Sequence, residues 1–353
     1  MKVIFVIVSL AGGGAERVIS ILANRFVEEG IDVTIMMTAG DAVAYRLDQR
    51  VHLVSMGGTS GGSLRLRLQR LARMRAYFGA NQDAVIISFG PGTSFFAVAA
   101  SLFQGHRMLI SERNDPAICP HKRLRNLVYG RAQQLVFQTE QARNCFPVRL
   151  RRKGRIIPNP IASGLSPVYL GERKKTVAAV GRLEAQKNHR LLLEAFALFH
   201  QKYSDWKLEI YGEGSLRQEL ETLAKELSLS QAVNFPGFVT EVTEKIKDAG
   251  MYVLSSDYEG ISNSLLEAMS LGIPSISTDC PIGGSSLCIR SGDNGLLVPV
   301  GDRMALAEAM EKLAGNSKLA KQMGQRGAEL RECWSEKNIG RQWLECIREI
   351  QKG

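Results

Sequence analysis

Strand-like and helix-like segments alternate along this 353-residue chain in two separate series. In the first series, short apolar runs with the character of buried strands lie at 3–8, 33–37, 51–54, 84–88, 108–111 and 135–138. The helix-like runs between them are 15–29, 64–78, 94–103 and 121–131. The second series has apolar runs at 177–180, 208–211, 233–235, 251–255 and 275–277. Because regular alternation is typical of a parallel, doubly wound sheet, we predict two Rossmann-like α/β domains.

The boundary between the two domains is predicted near the segment Ile156-Ile157-Pro158-Asn159-Pro160. Its prolines break any helix, and a polar stretch follows before the alternation resumes. We therefore expect a first domain at 1–162 and a second at 173–335. A last helix at 336–353 has one apolar face, because its large apolar residues recur every three or four positions. These residues are Ile339, Trp343, Ile347 and Ile350. Ligands of two such domains are expected in a cleft, at the carboxyl ends of the strands.

The positive charge of the chain is concentrated in its first half. Residues 1–170 contain 22 Lys and Arg against 10 Asp and Glu, a net +12, whereas 171–353 contain 23 against 25, a net −2. A basic first domain is expected to face an anionic partner. No apolar run approaches the roughly 18–20 residues that span a bilayer. The cysteines show no Cys-x-x-Cys spacing, so we expect a cytoplasmic protein with reduced thiols.

Two carboxylates, Glu259 and Glu267, stand eight positions apart where a loop is predicted to enter a helix. Ser262, Asn263 and Ser264 are predicted to cap that helix with their hydroxyl and amide groups. A helix start offers backbone N–H groups and a positive dipole end to an anion. The carboxylates can accept hydrogen bonds from hydroxyl groups of the molecule that carries the anion. Phosphate held together with a polyol favours a sugar nucleotide as the ligand.

A second charged pair follows the first strand of the second domain, where Arg182 and Lys187 lie five residues apart. A guanidinium binds an oxyanion through two hydrogen bonds and an ammonium supplies a point charge, so the pair suits a departing diphosphate. An ordinary solvated arginine and lysine is the alternative that position alone leaves open.

Glycine-rich loops follow several of the predicted strands. Gly13 and Gly14 precede the first helix, where glycine lets a backbone approach a phosphate or sugar closely. The G-x-G-x-x-G pattern is broken by Arg17, which disfavours an NAD-dependent oxidoreductase. A ligand-binding loop and a tight turn without a ligand both remain open. In Pro236-Gly237-Phe238-Val239, Phe238 is either a wall for a nucleobase or a core residue.

Together these segments resemble the retaining GT-B glycosyltransferases of family 4. The matching motifs are Gly-Arg-Leu-x-x-x-Lys at 181–187, Gly-x-Gly at 212–214, Pro-Gly-Phe-Val at 236–239, the Glu pair at 259–267 and Ala-Met-x-x-Gly-x-Pro at 268–274. Thr278-Asp279-Cys280-Pro281 and the start at 13–17 are more similar to members that assemble capsule, lipopolysaccharide and other glycans. The resemblance implies two Rossmann-like domains facing across a cleft, with the last helix crossing back to the first domain.

The resemblance also implies a role for each matching residue. Glu267 resembles the carboxylate that binds the nucleotide ribose, and Glu259 the one near the donor sugar. Arg182 and Lys187 resemble the pair that neutralises the diphosphate leaving group. The other donor-binding positions that it implies are Gly13, Gly14, Phe238, Ser262, Asn263, Ser264 and Leu265. It further implies retention of anomeric configuration, with a donor phosphate oxygen taking the acceptor proton.

No metal or other cofactor is expected. The sequence contains no Asp-x-Asp, and Asp257-Tyr258-Glu259 is interpreted as a strand-to-loop edge without a magnesium role. The charge of the departing diphosphate is expected to be stabilised by Arg182, Lys187 and a helix N-terminus. The sugar nucleotide is a substrate of such an enzyme.

One position departs from the family pattern. Many relatives carry a histidine in the loop after the fifth strand, where this chain has Ser111-Glu112-Arg113-Asn114-Asp115. Arg113 is predicted either to take the place of that histidine, contacting donor sugar or acceptor phosphate, or to form a salt bridge that caps the loop.

Segment 64–78 is predicted to be a basic amphipathic helix. Its cations are Arg65, Arg67, Arg70, Arg73 and Arg75, and Leu64, Leu68, Leu71 and Phe78 are predicted to share one face. Further basic clusters lie at 121–125 and 149–155. For any single cluster, a solvated helix face over the core is the alternative. The resemblance implies that the first domain binds the acceptor. Three basic clusters in that domain favour peripheral attachment to the anionic inner face of the cytoplasmic membrane.

The sequence thus predicts an enzyme that transfers a hexose or N-acetylhexosamine from a nucleoside-diphosphate sugar, with UDP favoured. The predicted acceptor is a polyprenyl-diphosphate-linked glycan. Alternatives are a soluble enzyme of the same fold, acting on a free sugar or as an epimerase, and a nucleic-acid-binding protein. Nucleic acid is disfavoured as a partner because no aromatic residues interleave the basic clusters before Tyr77.

Overall fold

The computed structural model describes residues 1–57 and 63–352. The chain divides into two compact units: unit 1 is Met1–Pro160 together with the C-terminal segment from Glu336, and unit 2 is Ile161–Ser335. Unit 2 is therefore an insertion in the sequence of unit 1. The ends of the insertion lie side by side, because the Ile161 N–H donates to the Trp334 carbonyl at 2.8 Å and Ile161 forms a bridge with Ser335.

Unit 1 contains a seven-stranded parallel sheet with the order β3-β2-β1-β4-β5-β6-β7. The strands are β1 (Lys2–Ile7), β2 (Asp32–Met37), β3 (His52–Ser55), β4 (Ala84–Phe89), β5 (Arg107–Ser111), β6 (Gln134–Phe137) and β7 (Gly154–Ile156). The helices are α1 (Gly14–Glu28), α2 (Leu64–Gly79), α3 (Pro91–Ser101), α4 (Lys122–Tyr129), α5 (Glu140–Asn144), α6 (Val148–Arg151) and the C-terminal helix (Glu336–Lys352). A 3-10 turn covers Pro116–Ile118.

The helices of unit 1 bury apolar residues against its sheet. Helices α2, α3 and α4 share one core, which includes Phe78, Val98 and Val128. The C-terminal helix packs with α1 and β5. Its predicted apolar face is confirmed, because Ile339, Trp343, Ile347 and Ile350 are all buried. The helix therefore belongs to unit 1, although the chain reaches it from unit 2.

Unit 2 contains a six-stranded parallel sheet with the order β10-β9-β8-β11-β12-β13. The strands are β8 (Lys174–Val180), β9 (Lys207–Tyr211), β10 (Val233–Gly237), β11 (Ala249–Leu254), β12 (Ser275–Thr278) and β13 (Leu296–Val298). The helices are α7 (His189–Lys202), α8 (Arg217–Glu226), α9 (Val242–Ile246), α10 (Asn263–Ser270), α11 (Gly284–Cys288), α12 (Arg303–Ala314), α13 (Ser317–Ala328) and α14 (Leu330–Cys333). Two apolar cores lie against this sheet.

The predicted fold class is confirmed, since both sheets are parallel and doubly wound. Two strands were missed: β7 and β13. Each has three residues and one neighbouring strand, because each lies at the edge of its sheet. A strand of three residues is too short to show an alternating or continuous apolar pattern in the sequence, whereas the longer edge strands β3 and β10 were predicted.

Candidate active site

A buried ion pair lies at the carboxyl edge of the unit 2 sheet. The Lys187 ammonium, in the 3-10 turn Ala185–Lys187 after β8, pairs with the Glu259 carboxylate in the loop after β11. The two side chains are 13% and 11% exposed. Strands β8 and β11 are neighbours, so the loops that leave their carboxyl ends meet. A buried charge is costly without a partner, so each of these two groups depends on the other.

Hydroxyl groups and a close glycine contact hold the loop that carries Glu259. The Ser256 hydroxyl donates to Glu259 Oε1 at 3.1 Å, and the Thr278 hydroxyl donates to the Ser256 carbonyl at 2.6 Å. A Cβ atom at position 284 would lie 1.8 Å from the Gly260 carbonyl oxygen. The loop can therefore pack at this distance only against a glycine at 284.

Asn188 joins the lysine loop to the glutamate loop. Its backbone is in the left-handed region with φ 44°, and its side-chain oxygen accepts a hydrogen bond from the Leu191 N–H, which caps α7. Its Nδ2 group donates to Asp257 Oδ1 at 2.7 Å. This contact was not predicted from the sequence. The sequence feature that could have indicated a structural role for Asn188 is its place directly before an apolar helix, because asparagine caps helices and tolerates a left-handed backbone.

Arg182 and His189 are two further basic residues of the segment that carries Lys187. Arg182 is exposed, and its Nη2 donates to Gln186 Oε1 at 3.4 Å. Burial, together with the charge of Lys187, lowers the pKa of His189 to about 4. His189 is therefore neutral near pH 7, so of these three residues Lys187 and Arg182 carry the positive charge.

Helix α10 begins in the loop after Glu259, and Ser262 is its N-cap residue. In the described part of the chain, the Ser262 side chain does not bond a helix amide, and it hydrogen-bonds the Ser264 hydroxyl at 3.1 Å. The Ser264 hydroxyl donates to the Val180 carbonyl at 3.0 Å. The predicted cap is therefore wrong for Ser262 and Ser264, because Ser262 bonds Ser264 and Ser264 connects α10 to the end of β8.

The first turn of α10 presents backbone amides beside the ion pair. The first hydrogen bond within the helix runs from the Leu266 N–H to the Ser262 carbonyl, so the amides of Asn263, Ser264 and Leu265 precede it. The Leu265 side chain lies in the apolar core, which leaves its backbone as the part that can contact a ligand. Glu267 is buried in the second turn, so it lies within α10. The helix start and its positive dipole end can attract an anion.

Phe238 follows β10 at the same edge of the sheet. Its side chain is 66% exposed, which excludes the alternative of a core residue. Gly237 before it has φ +82°, a backbone conformation that favours glycine. The Arg217 guanidinium donates to Glu213 at 2.7 Å and to the Phe235 carbonyl at 2.8 Å, which ties the loop after β9 to strand β10. An exposed ring on a braced loop can stack on a planar ligand.

In unit 1, the glycine loop after β1 is held by a tyrosine. The Tyr45 hydroxyl accepts from the Gly13 N–H at 3.1 Å and donates to the Gly13 carbonyl at 2.9 Å. Gly13 is the N-cap residue of α1, and Gly14 is the first residue of the helix. The loop therefore has a defined conformation, and its contact with a donor stays a prediction.

Arg113 is enclosed by aromatic rings at the carboxyl end of β5. Its guanidinium carbon lies 4.9 Å from the ring centre of Phe89 and 5.2 Å from that of Trp343. Nη1 donates to Asn159 Oδ1 at 2.8 Å, whereas Nε and Nη2 have no partner among the described residues. Burial lowers the pKa of Arg113 to about 9. The guanidinium forms no salt bridge with a described residue, so the predicted alternative of a capping ion pair is wrong.

The Glu112 carboxylate holds the loop around Arg113 by hydrogen bonds, and it forms no ion pair with the Arg113 guanidinium. Its Oε1 accepts from the Arg113 N–H at 3.1 Å, and its Oε2 accepts from the Tyr129 hydroxyl at 2.9 Å. Burial raises the pKa of Glu112. No role in the site was predicted for Glu112, Asn159 or Trp343, and Trp343 was predicted only as part of the apolar face of the last helix. The sequence feature that could have indicated Asn159 is the Pro-Asn-Pro segment, because the two prolines restrict the backbone on either side of the asparagine.

Helix α2 is basic, but its buried face differs from the predicted one. Arg70, Met74 and Phe78 are buried, whereas Leu64 and Leu68 are exposed. The predicted shared face of Leu64, Leu68, Leu71 and Phe78 is therefore wrong. The first two turns of α2 extend past the apolar core. The helix contacts that core farther along, through the side of the helix that carries positions 70, 74 and 78. Arg70 lies over the Phe96 ring at 5.8 Å and is not a surface cation.

Two other arginines of α2 contact backbone carbonyls. Arg73 donates to the Met56 carbonyl at 3.2 Å, and Arg75 donates to the Leu102 carbonyl at 2.7 Å. Arg65 and Arg67 are exposed near the start of the helix. None of the described helices has the length and hydropathy that crossing a bilayer requires.

The fold and the matching family models identify the class of protein, a glycosyltransferase of the GT-B type. Residues 168–330 match the family described as "Glycosyl transferases group 1", and residues 13–160 match "Glycosyl transferase 4-like domain". The two matches cover most of both units. The chain therefore belongs to the GT-B glycosyltransferases of family 4, which confirms the resemblance seen in its motifs.

Known proteins resemble the chain over its whole length. It is 27% identical over 361 residues, covering 99% of each protein, to the "GalNAc-alpha-(1->4)-GalNAc-alpha-(1->3)-diNAcBac-PP-undecaprenol alpha-1,4-N-acetyl-D-galactosaminyltransferase" of Campylobacter jejuni. It is 26% identical over 328 residues to the amylovoran biosynthesis glycosyltransferase AmsD of Erwinia amylovora, covering 89% of this chain and 90% of that protein. A crystal structure of Anabaena HepE in complex with UDP and glucose covers 99% of both chains with a TM-score of 0.87 at 17% identity, which shows the shared fold.

Proposed function

We propose that this enzyme transfers a hexose or N-acetylhexosamine from a UDP-sugar to a polyprenyl-diphosphate-linked glycan, with retention of configuration and without a metal ion. The observation that carries the proposal is the buried Lys187–Glu259 pair beside the start of α10. This arrangement places a fixed cation, a carboxylate and helix amides at one edge of one sheet. A diphosphate joined to a sugar has phosphate oxygens that can bind the cation and the amides, and hydroxyl groups that can donate to the carboxylate.

The donor is proposed to bind unit 2 along the carboxyl ends of its strands. Glu267 accepts hydrogen bonds from the ribose hydroxyls, and the exposed Phe238 ring contacts the base. The amides of Ser262, Asn263, Ser264 and Leu265 bind phosphate oxygens, together with Lys187 and Arg182. Glu259, held by Lys187 and Ser256, lies beside the donor sugar. In unit 1, Gly13 and Gly14 are proposed to contact the donor as well.

The proposed reaction breaks the bond between C1 of the sugar and the terminal phosphate oxygen of UDP. The acceptor hydroxyl oxygen bonds to C1 on the face that UDP leaves, and its proton passes to a phosphate oxygen of the departing UDP. Negative charge grows on the diphosphate during this step, and Lys187, Arg182 and the α10 dipole stabilise it. This proton transfer needs no protein carboxylate as a base.

The acceptor is proposed to contact unit 1. Two relatives of this chain are named for transfer to undecaprenol-linked diphosphate glycans, which supports a lipid-linked acceptor here. Arg113 keeps two N–H groups without a described partner, which supports a contact with an acceptor phosphate after a side-chain rearrangement. We place the enzyme at the inner face of the cytoplasmic membrane, where Arg65 and Arg67 meet anionic lipid.

Thermal unfolding with a panel of UDP-, GDP- and ADP-sugars tests this proposal and identifies the donor. A ligand that binds the folded protein raises the melting temperature in proportion to the logarithm of its concentration. We expect stabilisation by one UDP-sugar. In Glu267→Ala, the affinity for that sugar nucleotide is expected to fall about ten- to a hundredfold, because hydrogen bonds to a charged group are lost. The exposed Glu308 on α12 provides the matched control, and Glu308→Ala should bind as the wild type does. Equal binding by Glu267→Ala would remove Glu267 from the donor site.

Removal of divalent metals tests the proposed charge stabilisation. We expect the transfer rate to be unchanged in excess EDTA, because Lys187 and Arg182 supply the positive charge at the diphosphate. The rate is measured as formation of UDP and of glycosylated acceptor. Loss of activity that magnesium or manganese restores would contradict the metal-free mechanism.

A further inference from the structure

Three hydroxyl groups and one carbonyl form a hydrogen-bond network beside the start of α10. The Tyr252 hydroxyl lies 2.8 Å from the Ser264 Oγ, and the Ser264 Oγ lies 3.0 Å from the Val180 carbonyl oxygen. The Ser262 Oγ lies 3.1 Å from the Ser264 Oγ. Tyr252 is fully buried and Ser262 is 6% exposed. Ser264 therefore connects the other two hydroxyl groups to the end of β8.

The carbonyl at the end of this network sets the direction of its hydrogen bonds. A hydroxyl group donates one proton, whereas a carbonyl oxygen can only accept. The Ser264 proton goes to the Val180 carbonyl. The Tyr252 proton goes to Ser264, because the distance from Tyr252 to that carbonyl is longer, at 3.4 Å. The proton between Ser262 and Ser264 is therefore that of Ser262, so the Ser262 oxygen keeps lone pairs but has no proton left for a ligand.

The carboxylate of Glu259, on the same loop, has the same hydrogen-bonding character. It lies three residues before Ser262, and it accepts hydrogen bonds from Lys187 and Ser256. An ionised carboxylate has no proton to donate. Both side chains can thus only accept from a ligand, whereas the backbone amides in the first turn of α10 can only donate. The amides suit phosphate oxygens, and the two side-chain groups suit hydroxyl groups.

We propose that Ser262 is a specificity-determining residue for the donor sugar. Its side-chain oxygen accepts a hydrogen bond from one hydroxyl group of that sugar, and it does not bind a phosphate oxygen. A phosphate or a carboxylate is disfavoured at this place, because neither Ser262 nor Glu259 has a proton to give it. This inference rests on the proposed function, in which the donor sugar lies beside Glu259. It adds the chemical group that this part of the site selects.

The affinity for UDP, compared with that for UDP-sugars, tests this assignment, because UDP has the phosphates without the sugar. Ser262→Ala is expected to bind UDP as the wild type does. It should bind the tighter of UDP-glucose and UDP-N-acetylglucosamine roughly three- to tenfold more weakly, which is the usual effect of losing one hydrogen bond between uncharged groups. Isothermal titration calorimetry measures both affinities. Ser286, exposed on α11, supplies the matched control, and Ser286→Ala should bind both nucleotides as the wild type does.

Fluorinated forms of that UDP-sugar test the direction of the hydrogen bond. Each analogue replaces one sugar hydroxyl by fluorine, which has no proton to donate. We expect one analogue to bind the wild type more weakly than the parent UDP-sugar, by a similar factor, and to bind Ser262→Ala no more weakly than the parent does. The variant keeps the hydrogen bonds from Tyr252 to Ser264 and from Ser264 to Val180, so it should fold, which thermal unfolding checks. The wild-type measurements need no variant.

Three results would overturn the role of Ser262. An equal loss of affinity for UDP and for the UDP-sugar in Ser262→Ala would mean that Ser262 contacts phosphate. Unchanged affinity for both, or losses with every fluorinated analogue that are the same in the variant and the wild type, would mean that it contacts no sugar hydroxyl. In each of these cases UDP-sugars still bind the wild type, so the proposed function stands. If the wild type binds neither UDP nor a UDP-sugar, the proposed function is lost, and the role of Ser262 with it.

Discussion

Replacement of Lys187 by alanine is expected to lower the transfer rate by about a hundred- to a thousandfold. The variant removes a fixed cation from the place where we propose that the diphosphate departs, and losses of this size follow the removal of one preorganised charge-stabilising group. The effect should appear mainly in kcat, because the negative charge on the leaving group is larger in the transition state than in the bound donor. The measurement is steady-state transfer to a lipid-linked acceptor.

Controls must separate this catalytic effect from instability. Lys187→Ala leaves the buried Glu259 without its cation, which costs about 3–5 kcal/mol when a buried pair is broken. The double variant Lys187→Gln/Glu259→Gln removes both charges, so its stability should recover while its activity stays low. Lys175, whose ion pair with Asp205 is on the surface, supplies a matched lysine. Lys175→Ala should transfer as the wild type does. Normal activity in a folded Lys187→Ala protein would refute the assignment.

Replacement of Gly284 by alanine is expected to destabilise unit 2 by about 2–3 kcal/mol and to reduce transfer strongly. The new Cβ would stand 1.8 Å from the Gly260 carbonyl oxygen, so either α11 or the Glu259 loop has to move. Movement of that loop displaces Glu259 from Lys187 and Ser256. Urea unfolding measures the loss of stability, and the transfer assay measures the effect on the site.

Gly164 provides the control for this substitution. A Cβ atom at Gly164 would have no described atom within 4 Å outside its chain neighbours, and its backbone is outside the left-handed region. Gly164→Ala should therefore change stability by no more than about 0.5 kcal/mol. If Gly284→Ala is as stable and as active as Gly164→Ala, the close contact with Gly260 does not hold the site.

The sequence predicts the fold well where strands are central. Strand β1 was predicted at 3–8 and observed at Lys2–Ile7, and β11 was predicted at 251–255 and observed at Ala249–Leu254. Central strands are buried on both faces, so they form apolar runs that are visible without a structure. The edge strands β7 and β13 have three residues each, too few for a recognisable apolar run, which is why they were missed. The longer edge strands β3 and β10 were predicted at 51–54 and 233–235. The predicted C-terminal helix was found at Glu336–Lys352, because a face that packs on a core keeps strict spacing.

Individual residues of the site could be predicted from the sequence where a local motif shows their chemistry. Contacts between segments that lie far apart in the chain could not be predicted. Lys187 and Glu259 are 72 positions apart, and each was predicted from its own motif. Their ion pair forms because β8 and β11 are neighbours in the sheet, which the sequence did not show. The hydroxyls at 262 and 264 were expected to cap α10, because capping is the local use of serine at a helix start. Their actual partners, each other and Val180, depend on the fold. The rings around Arg113 come from β4 and the C-terminal helix, which no local pattern links to position 113.

The insertion of unit 2 within unit 1 has a consequence for the order of folding. To dock the C-terminal helix, unit 1 has to bring together two segments that are separated by the whole of 161–335. For a flexible connection of that length, loop closure costs roughly 4–5 kcal/mol in lost chain entropy. Once unit 2 is folded, the Ile161–Ser335 bridge already holds those two segments adjacent. If unit 2 unfolds, the two segments of unit 1 are again joined only by a flexible chain, and docking of the C-terminal helix again carries this loss of entropy. A substitution that destabilises unit 2 is therefore expected to weaken the packing of the C-terminal helix, which supplies Trp343, although the substituted residue lies far from that helix in the sequence.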